Sequence, residues 1–287
     1  MPPIAHPTTN TPRYHYKMKP TKSSLRTLTK KINYSTALGI FLSIILFVFI
    51  IAFAANDPLS FINLTGLGIV VGGTIAAILL SYPLKDIKHG LKSIKLIFFY
   101  EDLNPTKEAN EIIAVAQMWF IKDKTAIENT IVNINNPYLK TGFQLIVDNT
   151  PVDDILSLLK WRIARLRAKE KAEANIFYSL ASYSPAFGML GTLIGMINML
   201  QIIELKDIAG ISYNMGVALI TTFYGLIMAN LIFNPIAIKL ERRTEQRIMM
   251  MSMIMEGITL IADRRSPSFV RETLKSFIMH YDNELKD

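Results

Sequence analysis

Residues 32–55 read INYSTALGIFLSIILFVFIIAFAA, an uninterrupted apolar run without one charged side chain. At a rise of about 1.5 Å per residue, such a run crosses a hydrocarbon core of roughly 30 Å. Three more charge-free runs follow, at residues 61–83, 175–203 and 208–238. The links between them alternate in kind. Residues 56–60 and 204–207 are short, whereas residues 84–174 are long and charged. The expected fold is therefore an all-α integral membrane protein. Its four transmembrane helices form two hairpins, residues 32–83 and 175–238, with a helical domain between them at residues 84–174. Residues 239–287 form helices after the last span, and residues 1–31 a disordered basic tail that is drawn to membrane lipids.

Composition agrees with this partition. The chain has 287 residues, 51% of them hydrophobic, with a mean hydropathy of +0.29 and a net charge of +8. A soluble nucleic-acid binder is also basic but does not carry apolar runs of about 20 residues. Of the 31 Lys and Arg residues, only Lys206 lies in a short link; the other thirty precede the first span, follow the fourth or occupy the long loop. Positive charge marks the cytoplasmic side. Both termini and the long loop are thus expected in the cytoplasm. The first apolar run follows a 31-residue basic segment and lacks a cleavage site, which argues against a signal peptide; a start at Met18 is the other reading of that segment.

Several chemistries are excluded. The chain has no Cys, and its four His are scattered, so no disulfide, thiolate site or His metal pair is expected. No phosphate-binding Gly loop occurs. No acid, base and nucleophile cluster, and no enzyme activity or cofactor is expected. The basic run WRIARLRAKEK at residues 161–171 resembles an RNA-binding stripe. Beside a membrane it reads instead as a lipid-facing segment, with no nucleic acid.

Within the long loop, Leu84 begins an amphipathic stretch with Lys85, Lys88, Lys92 and Lys95 on one face. Helices are expected from Thr106 to Phe120 and from Lys124 to Val132, a break at Asn135-Asn136-Pro137, and a helix opened by Pro151 that continues into the third span. After the fourth span, an apolar stripe of Met251, Ile254, Ile258 and Ile261 marks a further helix.

The spans hold no Asp, Glu, Lys, Arg or His. Ion movement through a membrane ordinarily needs an ionisable group there, so this chain either moves no ion or borrows a carboxylate from another chain. The third and fourth spans carry unusual small-residue faces. Gly191 and Gly195 form G-x-x-x-G, which permits close helix approach, and Gly68 and Gly72 repeat the spacing in the second span. Pro185, Gly188 and Thr192 share one face; Ala218, Thr222, Gly225 and Ala229 share another, with Thr221 adjacent. Pro185 removes a backbone donor. These faces either line a narrow path or clasp a partner helix, and each Thr hydroxyl otherwise serves only its own helix.

These residues carry a resemblance. SPAFGMLGTLIGMINML (184–200), MGVALITTFYGLIMANLIFNPIAIKLERR (215–243) and MEGITLIADRRSP (255–267), with GIVVGGTIAAILLSYPL (68–84), resemble the MotA/PomA family of flagellar stator subunits. The likeness runs from about Ile32 to Ile278. It implies, in the inner membrane of a bacterium, a homo-oligomeric ring, a pentamer, around a dimer of a MotB/PomB-like one-span protein that supplies an aspartate and grips peptidoglycan. Ion flow through the complex drives a flagellar rotor switch protein. By this resemblance the ion path includes Pro185, Thr192, Thr221, Thr222 and Pro235, and Gly188, Gly191, Gly195 and Gly225 pack the helices. Sodium-driven members keep threonines at such positions, so transported Na⁺ near Thr192 and Thr222 is expected, with H⁺ the alternative. The physical basis is that a hard cation wants several oxygen ligands. For rotor contact, the family's basic pair reads Lys122-Asp123 here, and its acidic cluster reads Thr130, Ile131 and Asn133. Only Lys122 matches; Lys124 and Glu128 are nearby substitutes, or an ordinary solvated face. A TolQ/ExbB-like subunit of an envelope proton channel is the rival reading, although such proteins have three spans and an outside N-terminus. A solute transporter would need visible internal repeats.

Overall fold

Four helices open on the same local device, an Asn or Asp whose side chain takes an unpaired backbone N–H of the first turn. Asn63 accepts from Gly66 at 2.8 Å, Asn104 from Lys107 at 3.0 Å, Asn136 from Tyr138 at 2.9 Å, and Asp207 from Gly210 at 3.1 Å. Two of these caps are followed by Pro at the first helical position, Pro105 and Pro137.

The computed structural model describes residues 31–32, 34–54, 58–100, 104–122, 124–203 and 207–284. The basic tail expected at residues 1–31 lies outside these save for Lys31. In chain order the elements are β1 (Lys31–Ile32), α1 (Tyr34–Ala54), a 3-10 turn (Pro58–Phe61), α2 (Leu64–Ser81), α3 (Leu84–Phe98) and β2 (Phe99–Tyr100), which pairs antiparallel with β1. Then come α4 (Pro105–Ile121), α5 (Lys124–Asn133), α6 (Pro137–Val147), α7 (Val152–Ile203), α8 (Ile208–Ile227), a π-helical turn (Met228–Phe233), α9 (Asn234–Ala262) and α10 (Pro267–Glu284). The described chain is thus helical apart from that two-residue ladder. Three helical stretches among the described residues are long and apolar enough to cross a membrane: Leu64–Ser81, Val152–Ile203 and Ile208–Ala262.

The break expected at Asn135-Asn136-Pro137 falls between α5 and α6, where residues 134–136 are not helical; Asn136 is the cap and Pro137 the first turn of α6. The two residues that interrupt one helix start the next. Gly68 and Gly72, which repeat the G-x-x-x-G spacing, are not on the face of α2 packed within the chain. A Cβ on either would meet nothing within 4 Å, so they face away from the rest of the chain. The buried face of α2 is instead Gly66, Val70, Thr74 and Ile78, each one helical turn from the next.

A core of charged-domain helices gathers Ile112, Ile127, Leu139, Phe143, Ile155, Leu159, Ile254, Ile258, Ile261 and Leu274, all fully or almost fully buried. Ile254, Ile258 and Ile261 belong to the expected stripe; Met251 packs at its edge. Each such side chain contributes roughly 1.5–3 kcal/mol by leaving water. Because α7 and α9 run from this core into the apolar region as continuous helices, the core fixes the geometry of the spans.

Candidate functional site

The small residues of α7 set its distance from α8. A Cβ on Gly188 would lie 2.9 Å from the Thr221 carbonyl oxygen, and one on Gly191 2.7 Å from the Thr221 side chain. On Gly195 it would lie 2.8 Å from Ala218 Cβ, and on Gly225 2.6 Å from the Ser184 carbonyl oxygen. Only hydrogen fits at these positions, so the two backbones approach closely.

This close approach brings hydroxyls and carbonyls together. Thr192 Oγ1 stands 2.5 Å from Thr222 Oγ1, 2.9 Å from the Ala218 carbonyl oxygen and 3.2 Å from that of Gly188. Thr222 Oγ1 also lies 3.5 Å from the Gly188 oxygen. Two hydroxyls thus share two carbonyls of different helices, and the pair has fewer protons than acceptors. Both threonines are half-buried. Such an oxygen-rich group can accept a proton donor or a hard cation from the open side.

Thr221 is placed differently. It is 0% exposed, and its hydroxyl donates to the Ala218 carbonyl of its own helix at 2.8 Å. Its side chain fills the space left by Gly66 of α2 and Gly191 of α7. It joins three helices by packing and presents no oxygen to an open face.

The two prolines stand apart. Pro185 lies inside α7, half-buried against Gly225, where a Cβ would be 3.0 Å from Pro185 Cα. Lacking an N–H, it leaves the Ala181 carbonyl without its intrahelical donor. Pro235 is exposed and follows the π turn Met228–Phe233. The widened turn accommodates the proline ring, and the helix continues into α9. Pro235 is about 15 Å of helix beyond Gly225, so the structure does not gather it with the threonines.

Two ties were not legible as functional residues. Tyr224 Oη donates to the Phe61 carbonyl at 2.5 Å and accepts from the Asn63 N–H at 2.9 Å, pinning the start of α2 to α8. Its place in ITTFYG, adjacent to the threonines, is the available signal. Glu170 of α7 accepts from Thr244 Oγ1 at 3.0 Å and pairs with Arg247, both of α9. Nothing in the sequence links residues so far apart.

At the expected rotor-contact residues, Lys122 is exposed and caps α4 in the left-handed conformation, φ 64°. Lys124 opens α5, its side chain lying outside the described residues, and Glu128 is exposed one turn on. Lys122 borders a cavity of about 400 Å³ lined also by Trp119, Phe120, Asn149, Arg264 and Arg265. Asn149 and Arg264 are likewise left-handed, at φ 54° and 57°, and each follows a helix end. Three helix C-termini therefore meet at one cavity, and the three cations there suit their negative ends. Among the described residues no three His, Cys, Asp or Glu side chains converge as a metal site.

The MotA/TolQ/ExbB proton channel family matches residues 130–253. Motility protein A of Aquifex aeolicus (strain VF5) is 33% identical over 241 residues, covering 83% of this chain and 93% of its own. Chemotaxis protein PomA of Vibrio alginolyticus is 31% identical over 218 residues, covering 76% and 85%. Uncharacterized protein YtxD of Bacillus subtilis (strain 168) is 30% identical over 250 residues, covering 86% and 91%. The fold is similar to that of C. jejuni MotAB, with a TM-score of 0.78 and 22% identity over 86% of this chain and 96% of that one. The flagellar MotAB stator complex from Bacillus subtilis gives a TM-score of 0.74 and 21% identity over 84% and 94%. Two of these relatives are named for motility and chemotaxis, in keeping with a chain that is not an enzyme. With its apolar helices of spanning length and relatives that match it along most of both lengths, this multi-pass membrane chain belongs to the MotA/PomA family.

Proposed function

We propose that the chain is a flagellar stator subunit that converts ion flow into torque. Its spans are α1, α2, the apolar half of α7, and α8 with the start of α9, arranged as two hairpins with both termini in the cytoplasm. The segregation of thirty of 31 Lys and Arg residues supports that topology. Copies of the chain form a ring, a pentamer, around a MotB/PomB-like one-span partner. The partner brings the carboxylate that the charge-free spans lack.

The observation that carries this reading is the contact of Thr192 with Thr222. It sets two hydroxyls beside the Gly188 and Ala218 carbonyls, in a seam of apolar spans without an ionisable group. In this reading the partner's aspartate faces that seam. Na⁺ passes by exchanging water for the aspartate and these oxygens, with the Ala181 carbonyl that Pro185 leaves without its intrahelical donor, about 10 Å nearer the cytoplasm along α7, as a ligand later on the path. Thr221 enters as a packing residue, and Pro235 shapes the cytoplasmic end of the span. Lys122, with Lys124 and Glu128, faces the rotor switch protein.

A second reading, H⁺ transport, is favoured by the description of the matched family as a proton channel family. A proton needs the aspartate alone, and the hydroxyls then serve packing. Swimming speed of cells with this stator, measured against sodium at fixed pH, separates the two. Sodium transport predicts speed that saturates with sodium, and a higher half-saturation in Thr192→Ala and Thr222→Ala. Speed independent of sodium overturns that reading.

A further inference from the structure

Helix α3 has two opposed faces. Gly90 is buried beneath Ile176 and Phe177 of α7, Ser93 Oγ donates to Glu173 at 2.5 Å, and Ile94 packs on the same cluster. Lys85, Lys88, Lys92 and Lys95 are all exposed. At 3.6 residues per turn they lie within an arc of about 80°, opposite Gly90. Leu84 and Leu91 sit at the edge of that arc and are 63% and 54% exposed. The helix thus buries a small-residue face and leaves outside a stripe of four cations flanked by two leucines, the composition of an interfacial membrane helix.

Its position fits the same role. α3 follows α2 directly, and the junction is tied to α7 by Ser81 with Tyr183 and by Tyr82 with Ser179, both at 2.9 Å. Tyrosine is the side chain expected at a membrane–water boundary. From the Tyr82–Ser179 contact to the Ser93–Glu173 contact, α3 passes only six residues of α7, about 9 Å along that helix axis. It therefore leaves the boundary at a slant, and its lysines stay within a distance comparable to the Debye length of about 8 Å. The basic run of α7 differs. Trp161 lies about 27 Å below Ser179 and Arg165 about 21 Å. Arg162 is bonded to Thr141, Arg165 lies over the Trp161 ring, and Arg167 pairs with Glu245. That run is too deep, and too engaged, for the lipid contact its composition suggests.

We propose that α3 is a lipid-binding strut. Lys85, Lys88, Lys92 and Lys95 hold the headgroups of anionic phospholipid in the cytoplasmic leaflet, and Leu84 and Leu91 enter the interface. This fixes the inclination of the α2–α3 junction against α7. It rests on the cytoplasmic placement of the long loop.

The chain has no Cys, so Leu91→Cys gives a single labelling site. The full-length chain carrying bimane at this site is placed in nanodiscs of phosphatidylcholine, with or without phosphatidylglycerol, each containing a headgroup-labelled quenching lipid. Quenching should be about twofold greater with phosphatidylglycerol and fall to the phosphatidylcholine level at about 1 M salt. Replacing all four lysines by Gln should abolish the difference, and replacing them by Arg should keep it. Changing Lys160, Lys169 and Lys171 of α7 to Gln should leave it unchanged. Equal quenching in the two nanodiscs, or loss of the difference in the α7 variant, overturns the proposal. So does a blue-shifted label that no lipid quenches, which indicates cover by another protein chain. An impermeant thiol reagent separates the premise: labelling of the Leu91→Cys variant in intact cells refutes the topology. Labelling only in inverted vesicles, with equal quenching, refutes the lipid contact alone.

Discussion

The hydroxyl oxygens of Thr192 and Thr222 stand 2.5 Å apart across the seam between α7 and α8. At this distance one donates to the other. If they are ligands of a passing cation, the hydroxyl matters and the methyl does not. Thr222→Ser should keep the sodium dependence of swimming, and Thr222→Val, similar in volume but without oxygen, should lose it. Loss of one such partner is worth about 1.4 kcal/mol, roughly tenfold in half-saturating sodium. Speed against sodium in the two variants checks this; equal behaviour of Ser and Val removes the ligand role.

Glycine substitution should divide by face. Gly225→Ala drives a methyl against the Ser184 carbonyl and should destabilise the chain by about 1–3 kcal/mol, with loss of motility. Gly68→Ala meets open space within the chain and should leave its thermal stability in detergent unchanged. Equal tolerance at the two sites contradicts the close seam.

Glu170→Ala should loosen α7 from α9, since it leaves Arg247 and Thr244 without their shared acceptor. The expected cost is about 2 kcal/mol, below that of a fully buried pair because the Arg247 side chain is 29% exposed. Thermal unfolding of the detergent-solubilised chain measures it, and an unchanged midpoint contradicts the tie.

The charged domain should show a definite pH signature at Glu108. Burial pushes its carboxyl above the usual range, and Glu111 adds to this, against the opposing Asn136 hydrogen bond and Lys107. A raised carboxylate binds more protons folded than unfolded. Its stabilising contribution is therefore full below the unfolded pKa and lost as pH rises through the folded one. Glu108→Gln should be more stable than the parent at neutral pH, with the difference shrinking on acidification into the carboxylate range. Melting temperatures of both proteins across pH test the sign; a difference that widens on acidification contradicts it.

The three described helices of spanning length were legible because lipid permits few structures and excludes charge, so long apolar runs suffice to mark them. The seam was half legible. Gly188, Gly191 and Gly195 announced a close approach, but which α8 residues meet them depends on rotation and register that no local pattern encodes. The same limit explains Gly68 and Gly72: spacing alone did not tell the buried face of α2 from the outer one. Thr221 and Thr222 are neighbours in sequence, yet helical rotation seals one and leaves the other half-exposed. The break at Asn135-Asn136-Pro137 was legible, but not the helix it opens, because a helix start and a helix break use the same residues.

In the proposed stator, the charge-free spans borrow their ionisable group from another chain. A host without its own stators, expressing this chain with its one-span partner, tests it most directly when the aspartate in the partner's membrane helix is replaced by asparagine. Cells should swim with the intact pair and stop with the substituted partner, although the complex still assembles. Swimming that persists with the asparagine partner, or with this chain alone, would contradict it.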